Sequence, residues 1–198
     1  MCNLLYSNGT MAYMMVVFLD RDGTIIEEKD FIKTPEEIEF IPRSMEAIRI
    51  LKKLGYKIIA ISNQSGIGRG ILTLDMVTKV NESFLKRLER ENVGIDGLYF
   101  CPHHPEENCD CRKPKTGLIQ KAAVEQKLDL KDAVVIGDKL SDVELGKNLG
   151  VKTVLVLTGY GKTEAKKPEI KQIKPDFIAD DLYGAVIWLK NTSFKESN

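Results

Sequence analysis

Six short apolar runs recur along the chain: "MVVFL" (15–19), "KIIAIS" (57–62), "GLYF" (97–100), "AVVIG" (133–137), "KTVLV" (152–156) and the weaker "DFIA" (176–179). Within most of them apolar residues follow one another instead of alternating with polar ones, and valine and isoleucine are frequent. That pattern predicts strands buried on both faces, as in a parallel sheet covered by helices above and below. Between the runs, apolar residues recur at helical spacing over roughly 44–54, 74–92, 116–127, 141–149 and 182–190. Ser44, Thr73, Thr116 and Ser141 stand where N-caps belong, and Gly55 and Gly150 where helices stop. Strand and helix alternate, which predicts an α/β doubly wound parallel sheet. Such sheets carry their reactive groups at the carboxyl ends of the strands. There the chain has "DRDGT" after the first run, "SNQSG" after the second, "CPHHPEENCDCRKP" (101–114) after the third and "GDKLSD" at the fourth. Four polar clusters at four strand ends are expected to converge on one crevice.

A length of 198 residues, 43% of them hydrophobic, suits a single domain with a sizeable core. Residues 1–14 read as an N-terminal extension, with Met11, Met14 or Met15 as alternative starts. Residues 15–190 read as the domain, and 191–198 as a polar tail without structure. Lysine plus arginine, 29, equal aspartate plus glutamate, 29, so charge points to neither nucleic acid nor a membrane surface as partner. No apolar run approaches the ~20 residues of a spanning helix. "MAYMMVVFL" is short, ends on charges and follows no basic stretch, so it does not read as a signal peptide. Three of the four cysteines share one loop, which is no distributed disulfide framework, and a reducing cytoplasm is the expected location.

Asp20 and Asp22 stand two residues apart just after a buried strand, and Gly23 lets the chain turn away. Carboxylates so close repel one another unless a cation or a proton intervenes. Asp138, at another strand end, completes a hard oxygen set suited to Mg²⁺, an ion that keeps several waters and borrows a substrate phosphate. One aspartate can then attack phosphorus while the other protonates the leaving oxygen. A calcium loop would continue with more oxygen ligands and a glutamate in register, which "TIIEEKD" does not. Gly66, Gly68 and Gly70 lack the spacing of a dinucleotide fingerprint and no G-K-[ST] follows, so no nucleotide is expected.

The third cluster holds Cys101, His103, Cys109 and Cys111, spaced C-x-H-x5-C-x-C. Three thiolates and one imidazole form a closed tetrahedral set, the mark of structural zinc. His104 is an alternative to His103, and a disulfide from Cys101 to Cys109 or Cys111 is the competing reading. Arg112 and Lys113 follow the last ligand directly, so a zinc-held loop would fix two cations in place.

"FLDRDGT", Ser62 after the second strand, Lys113 before Pro114, and "GDKLSD" together resemble the haloacid dehalogenase (HAD) superfamily of phosphotransferases, over about residues 15–180. The resemblance implies a Rossmann-like fold with Asp20 as nucleophile and Asp22 as general acid, then base. It implies that Ser62 and Lys113 hold the phosphoryl oxygens. Asp20, the backbone carbonyl of Asp22, and Asp138 would bind Mg²⁺, with Asp142 in support. Asn63, Gln64, Ser65, Arg112 and Lys139 are other implied substrate-side residues, and Glu28, Lys29, Asp30 and Phe31 are implied along one wall. The segment 27–40 is too short for a cap domain, so an open, capless site is expected.

The "CRKP" ending of the cysteine loop, with "SNQSGIGRG", resembles the D-glycero-D-manno-heptose 1,7-bisphosphate 7-phosphatase family more than the related histidinol-phosphate phosphatases, which typically read "NQDGLG". That resemblance implies a sugar-phosphate substrate and a place in the synthesis of lipopolysaccharide or other heptose-containing glycans; an open single domain suits a monomer. Arg112 beside Lys113 suits the second phosphate, and Arg69 is a weaker candidate. The chain departs from that family at Phe31, where tyrosine is common. A phosphomutase would need a water-excluding cap, and a non-catalytic zinc module would have no use for a complete phosphoryl site.

Overall fold

The computed structural model describes residues 15–193; the predicted extension 1–14 and most of the predicted tail, 194–198, lie outside the described residues. Six strands form one sheet: β1 (Val16–Leu19), β2 (Lys57–Asn63), β3 (Gly97–Cys101), β4 (Val134–Gly137), β5 (Lys152–Val156) and β6 (Phe177–Ala179). Every pairing is parallel and the order is β3-β2-β1-β4-β5-β6. Phe18 of β1 lies between Ile59 of β2 and Val135 of β4. Val17, Leu19, Ile58 and Ile136 feed one hydrophobic layer, and Val16, Phe18, Ile59 and Val135 the other, so both faces are covered. This is why the runs are apolar at consecutive positions.

The helices are α1 (Ser44–Lys53), α2 (Leu74–Arg90), α3 (Gly117–Gln126), α4 (Leu140–Leu149), α5 (Gly161–Glu164), α6 (Pro168–Ile173) and α7 (Leu182–Ser193). Ala47, Ile48, Leu51, Phe84, Leu88, Leu182 and Ala185 bury one layer, drawing on α1, α2 and α7; Leu118, Ile119, Ala122 and Leu145 bury the other, from α3 and α4. Thr73 caps α2 as expected, accepting from Met76 N at 3.2 Å, and Gly150 ends α4 at φ 71°. The other predicted caps need correction. Arg43 precedes α1 in a left-handed conformation while the Ser44 hydroxyl is buried without a partner. Lys139 stands at the start of α4, and Asp142 reaches back to its backbone N–H, so Ser141 lies inside the helix. Thr116 does occupy the N-cap position of α3, but its side chain makes no capping bond. The short helices α5 and α6 are additions, and α7 runs three residues beyond its predicted end.

Two consequences bear on the site. The strand order reverses between β1 and β4, which opens a crevice at their carboxyl ends. The connections after β1 and β2, residues 20–43 and 64–73, hold one 3-10 turn (Pro35–Glu37) and no cap domain. Farther away, Asp176 ties β6 to β5: one of its oxygens accepts from Thr153 N, Thr153 Oγ1 and Lys147 Nζ, each at 2.8 Å. Burial works to raise the Asp176 carboxyl, but Lys147 and Thr153 outweigh it and hold it below the usual carboxylate range. A depressed folded pKa adds stability above the unfolded value and loses it as pH falls through the folded one. Asp176→Asn is therefore expected to cost about 1 kcal/mol at pH 7, modest because the group is part-exposed. Paired melting curves should show that deficit shrinking below about pH 4; a constant deficit down to pH 2 would contradict the linkage.

Candidate active site

The crevice is a cavity of about 290 Å³ lined by residues from five strand ends. Asp20, Asp22, Glu28, Phe31, Ser62, Asn63, Gln64, Ser65, Arg112, Lys113 and Lys139 all contribute to its wall. Asp138 lies beneath them, fully buried.

Asp20 follows β1, and its backbone N–H is held by Ile136 O of β4 at 2.9 Å. Lys113 reaches in from the cysteine loop. Its Nζ lies 2.8 Å from Asp20 Oδ1 and 2.6 Å from Asp142 Oδ1, and it donates to Ile61 O at 3.0 Å. Burial opposes charge on Lys113, but Asp142 and Asp20 overcome it and keep the ammonium protonated above its ordinary range. Burial also works to raise Asp20, yet Lys113 and Lys139 hold it below the usual carboxylate range. Asp138 takes the opposite course: burial, then the neighbouring Asp20 and Asp142 charges, push it up to about 8. Burial likewise pushes Asp142 up to about 6, with Lys113 opposing and Asp20 adding to the rise.

Oxygens of Asp20, Asp138 and Asp142 lie within 4.8 Å of one another. Asp138 Oδ2 accepts from Tyr160 N at 2.8 Å, while its Oδ1 is buried with no partner. A side chain at Gly23 (φ 84°) or Gly159 (φ 51°) would collide with Asp138 Oδ2, so the carboxylate is seated between two bare backbones. Crowded carboxylates with an orphaned oxygen fit a hard divalent cation. The Asp22 carboxylate is not in that cluster. It accepts instead from Arg21, from Ser62 Oγ at 3.1 Å and from Gln64 Nε2 at 2.8 Å.

The side chain of Asn63 is committed to backbone. Its Oδ1 accepts from Lys113 N at 3.1 Å and its Nδ2 donates to Lys113 O at 3.2 Å. Its amide therefore brackets the Lys113 residue while lining the cavity. Lys139 pairs with Glu28 at 2.8 Å. Burial pushes the Glu28 carboxyl up, against the pull of Lys139. Phe31 is half-buried on the same wall, in the space a side chain at Gly66 would take. Arg112 also lines the cavity, and its Nη1 is buried without a partner. Arg69, the weaker candidate, is exposed and does not line it.

Behind Lys113, the loop gathers Cys101, His103, Cys109 and Cys111. Sγ–Sγ distances are 3.5 Å for Cys101–Cys109 and Cys109–Cys111, and His103 Nδ1 lies 3.6 and 3.1 Å from Cys101 and Cys111 Sγ. A zinc tetrahedron with bonds of ~2.0–2.3 Å has edges of about 3.5–3.8 Å, so the four donors fit that ion with little adjustment. His104 faces elsewhere, its Nδ1 accepting from Glu106 N at 3.3 Å. The loop is laced to the segment after β2 by Gln64 N to Cys101 O and Gly68 N to Pro102 O, both 2.8 Å.

Three residues, Tyr160, Arg21 and Asn81, escaped the sequence reading, whereas Asp30 lines the cavity as the resemblance implied. Tyr160 and Asp30 meet across the cavity mouth, hydroxyl to carboxylate at 2.7 Å; this bond pushes the phenol up to about 12. Tyr160 lay within reach of the strand-end rule, since β5 runs into "LTGYG". Arg21 and Asn81 are buried. The only signal for Asn81 is a polar residue on the helical stripe Val77, Val80, Phe84, Leu88.

Two family models match the chain: the polynucleotide kinase 3 phosphatase model over residues 15–144, and the HAD-hydrolase-like model over 110–185. The D-glycero-beta-D-manno-heptose-1,7-bisphosphate 7-phosphatase of Haemophilus influenzae is 40% identical over 150 residues, 72% of this chain and 82% of that protein. The D-glycero-D-manno-heptose-1,7-bisphosphate 7-phosphatase of Chlorobaculum tepidum is 40% identical over 184 residues, 86% and 92%. Among solved structures, D,D-heptose 1,7-bisphosphate phosphatase from B. bronchiseptica, complexed with magnesium and phosphate, superposes with a TM-score of 0.81 at 28% identity, covering 90% of this chain and 99% of that one. With the capless parallel sheet and the carboxylate crevice on the page, these relationships place the chain among the HAD-like phosphatases, phosphoric monoester hydrolases, as a member of the D-glycero-D-manno-heptose-1,7-bisphosphate 7-phosphatase family.

Proposed function

We propose that this chain removes the 7-phosphate of D-glycero-D-manno-heptose 1,7-bisphosphate through an aspartyl-phosphate on Asp20. Relatives from Haemophilus influenzae, Pasteurella multocida and Helicobacter pylori, 38–45% identical, carry names specifying the β anomer, and the β anomer is the substrate proposed here. The reaction would serve cytoplasmic synthesis of heptose-containing glycans such as lipopolysaccharide. The observation that carries the bisphosphate reading is Arg112. Arg112 lines the same cavity as Asp20 and Lys113, and its Nη1 has no partner among the described residues, which provides for a second anion beside the reacting one.

In the first step an Asp20 oxygen attacks phosphorus, the bond from phosphorus to O7 breaks, and Asp22 gives its proton to the departing oxygen. Lys113 and Ser62 hold the phosphoryl oxygens, and Gln64, Ser65 and Lys139 line their path. In the second step Asp22 takes a proton from water, the water oxygen attacks phosphorus, and phosphate leaves Asp20 as a carboxylate again. Asp20, the backbone carbonyl of Asp22, and Asp138 are the residues that would hold Mg²⁺, which supplies charge neutralisation at the phosphoryl group. Asp142 keeps Lys113 aligned through their 2.6 Å contact. Glu28 and Phe31 shape the wall on the sugar side.

Two outcomes test this reading. Arg112→Met should raise KM for the bisphosphate by about 10- to 100-fold, the worth of a charged hydrogen-bonding contact. The same variant should leave kcat/KM for a heptose 7-monophosphate within about threefold, and equal losses on both substrates would contradict the role. Cys101, His103, Cys109 and Cys111 are proposed as ligands of structural zinc. Stripping zinc while Mg²⁺ is restored should lower the melting temperature by about 10 °C or more, since each kcal/mol is worth roughly 2–4 °C at this size. Substrate affinity should fall with it, because Lys113 and Arg112 follow the last ligand. Full activity in a folded protein shown to be zinc-free would contradict this.

A further inference from the structure

The mechanism above assigns no task to Arg21, the largest fully buried side chain among the described residues. It stands between the two reacting aspartates. Its backbone N–H donates to Asp20 Oδ1 at 2.9 Å. Its guanidinium turns to Asp22: Nη2 lies 2.9 Å from both carboxylate oxygens, and Nε lies 3.1 and 3.2 Å from them. The third nitrogen, Nη1, donates to Asn81 Oδ1 on α2, sixty residues away in sequence. Asn81 is itself buried, and among the described residues its carbonyl is the one side-chain acceptor that meets Arg21 besides Asp22.

We propose that Arg21 and Asn81 form a positioning pair that sets the orientation of the Asp22 carboxylate. A guanidinium is planar and its donors are fixed in a fork, so two nitrogens on one carboxylate determine the plane of that carboxylate. A fork held at one edge can still pivot about the line joining it to its partner. Asn81 pins the opposite corner to a long helix packed on the sheet and removes that freedom. Ser62 Oγ and Gln64 Nε2 approach Asp22 Oδ2 from β2. Asp22 nevertheless keeps a share of the cavity wall, with its side chain 14% exposed. Neither Arg21's guanidinium nor Asn81 is assigned a contact with substrate; both act through Asp22. Proton transfer requires the carboxyl within hydrogen-bond reach of the leaving oxygen and then of water, so an Asp22 free to swivel serves neither step well.

This inference rests on Asp22 being the acid and base, and the two claims separate experimentally. Nitrophenolate leaves without needing a proton, whereas a sugar alkoxide does not, and hydrolysis of the aspartyl-phosphate needs the base whichever group has left. Rapid-quench kinetics with nitrophenyl phosphate and with a sugar phosphate should be run on the parent, Asn81→Leu, Asn81→Asp and Asp22→Asn. In Asn81→Leu, phosphorylation of Asp20 by nitrophenyl phosphate is expected within about threefold of the parent. Hydrolysis of the aspartyl-phosphate is expected to slow about tenfold or more, giving a nitrophenolate burst approaching one equivalent. With the sugar phosphate both steps should slow. Asn81→Asp, which keeps an acceptor for Arg21, should restore hydrolysis to within about threefold. Uniform slowing of both steps on both substrates, or an Asn81→Asp variant as impaired as Asn81→Leu, would overturn the pair. An Asp22→Asn variant without the burst would instead remove the acid–base reading, and the pair's role with it. If Asn81→Leu does not fold, Asn81→Ala carries the same comparison.

Discussion

Asp20→Asn should reduce phosphate release by at least about 10⁴-fold, on the scale of losing a covalent nucleophile. The substitution is nearly isosteric. The amide oxygen can still face Lys113, whose Nζ keeps its contact with Asp142 and its bond to Ile61 O. What the variant loses is an oxygen able to form a bond to phosphorus. Acid quench during turnover of labelled substrate should trap up to one equivalent of phosphate on the parent and none on the variant. Retained turnover in a preparation free of contaminating phosphatase would remove the covalent mechanism while leaving the fold standing.

Lys113→Met is expected to act on catalysis and stability together. Turnover should fall about 10²- to 10³-fold, the usual cost of removing one electrostatic contact to a developing charge. The protein should also lose about 3–5 kcal/mol, because Asp20 and Asp142, 5% and 2% exposed, are left as buried carboxylates without their lysine. The pH dependence has a definite sign. In the parent, Lys113 is protonated above its ordinary range, so its contribution is complete throughout neutral pH and is lost only in strong alkali. In the variant, Asp142, already at about 6 with Lys113 opposing its rise, moves higher and takes up a proton near neutrality. Protonation relieves the unpaired charge. In magnesium-free buffer, the stability deficit should therefore be largest near pH 8 and shrink towards pH 5. A deficit that grows on acidification would show that lost packing, not charge, controls the effect.

These expectations trace back to unequal signals in the chain. The strands were readable because a sheet covered on both faces admits apolar residues at consecutive positions, as in Val16 to Leu19. Strand-end placement then brought Asp20, Ser62, Lys113 and Asp138 to one crevice although they span more than a hundred residues of sequence. The cysteine loop was legible because the zinc-binding donor types recur at close spacing. Caps were less so. A hydroxyl before an amphipathic run is only a candidate, and at α1 the chain enters through a left-handed Arg43 that stacks on Tyr183, 3.2 Å from the ring centre. The helix α5 is a single turn, too short for periodicity to register. Asn63 reads as a polar strand-end residue like its neighbours, and only tertiary pairing reveals that its amide serves the Lys113 backbone. Arg21 and Asn81 illustrate the same limit, since their partnership joins β1's end to α2 across a separation that local pattern does not encode.

The central claim is tested most directly by kcat/KM for magnesium-dependent phosphate release. The panel holds both anomers of D-glycero-D-manno-heptose 1,7-bisphosphate and histidinol phosphate, with Asp20→Asn as the blank. The account predicts the highest value on the β anomer, about tenfold or more above histidinol phosphate, and no release by the blank. A preference for histidinol phosphate would contradict the heptose assignment and leave the unpartnered Arg112 nitrogen without its second phosphate.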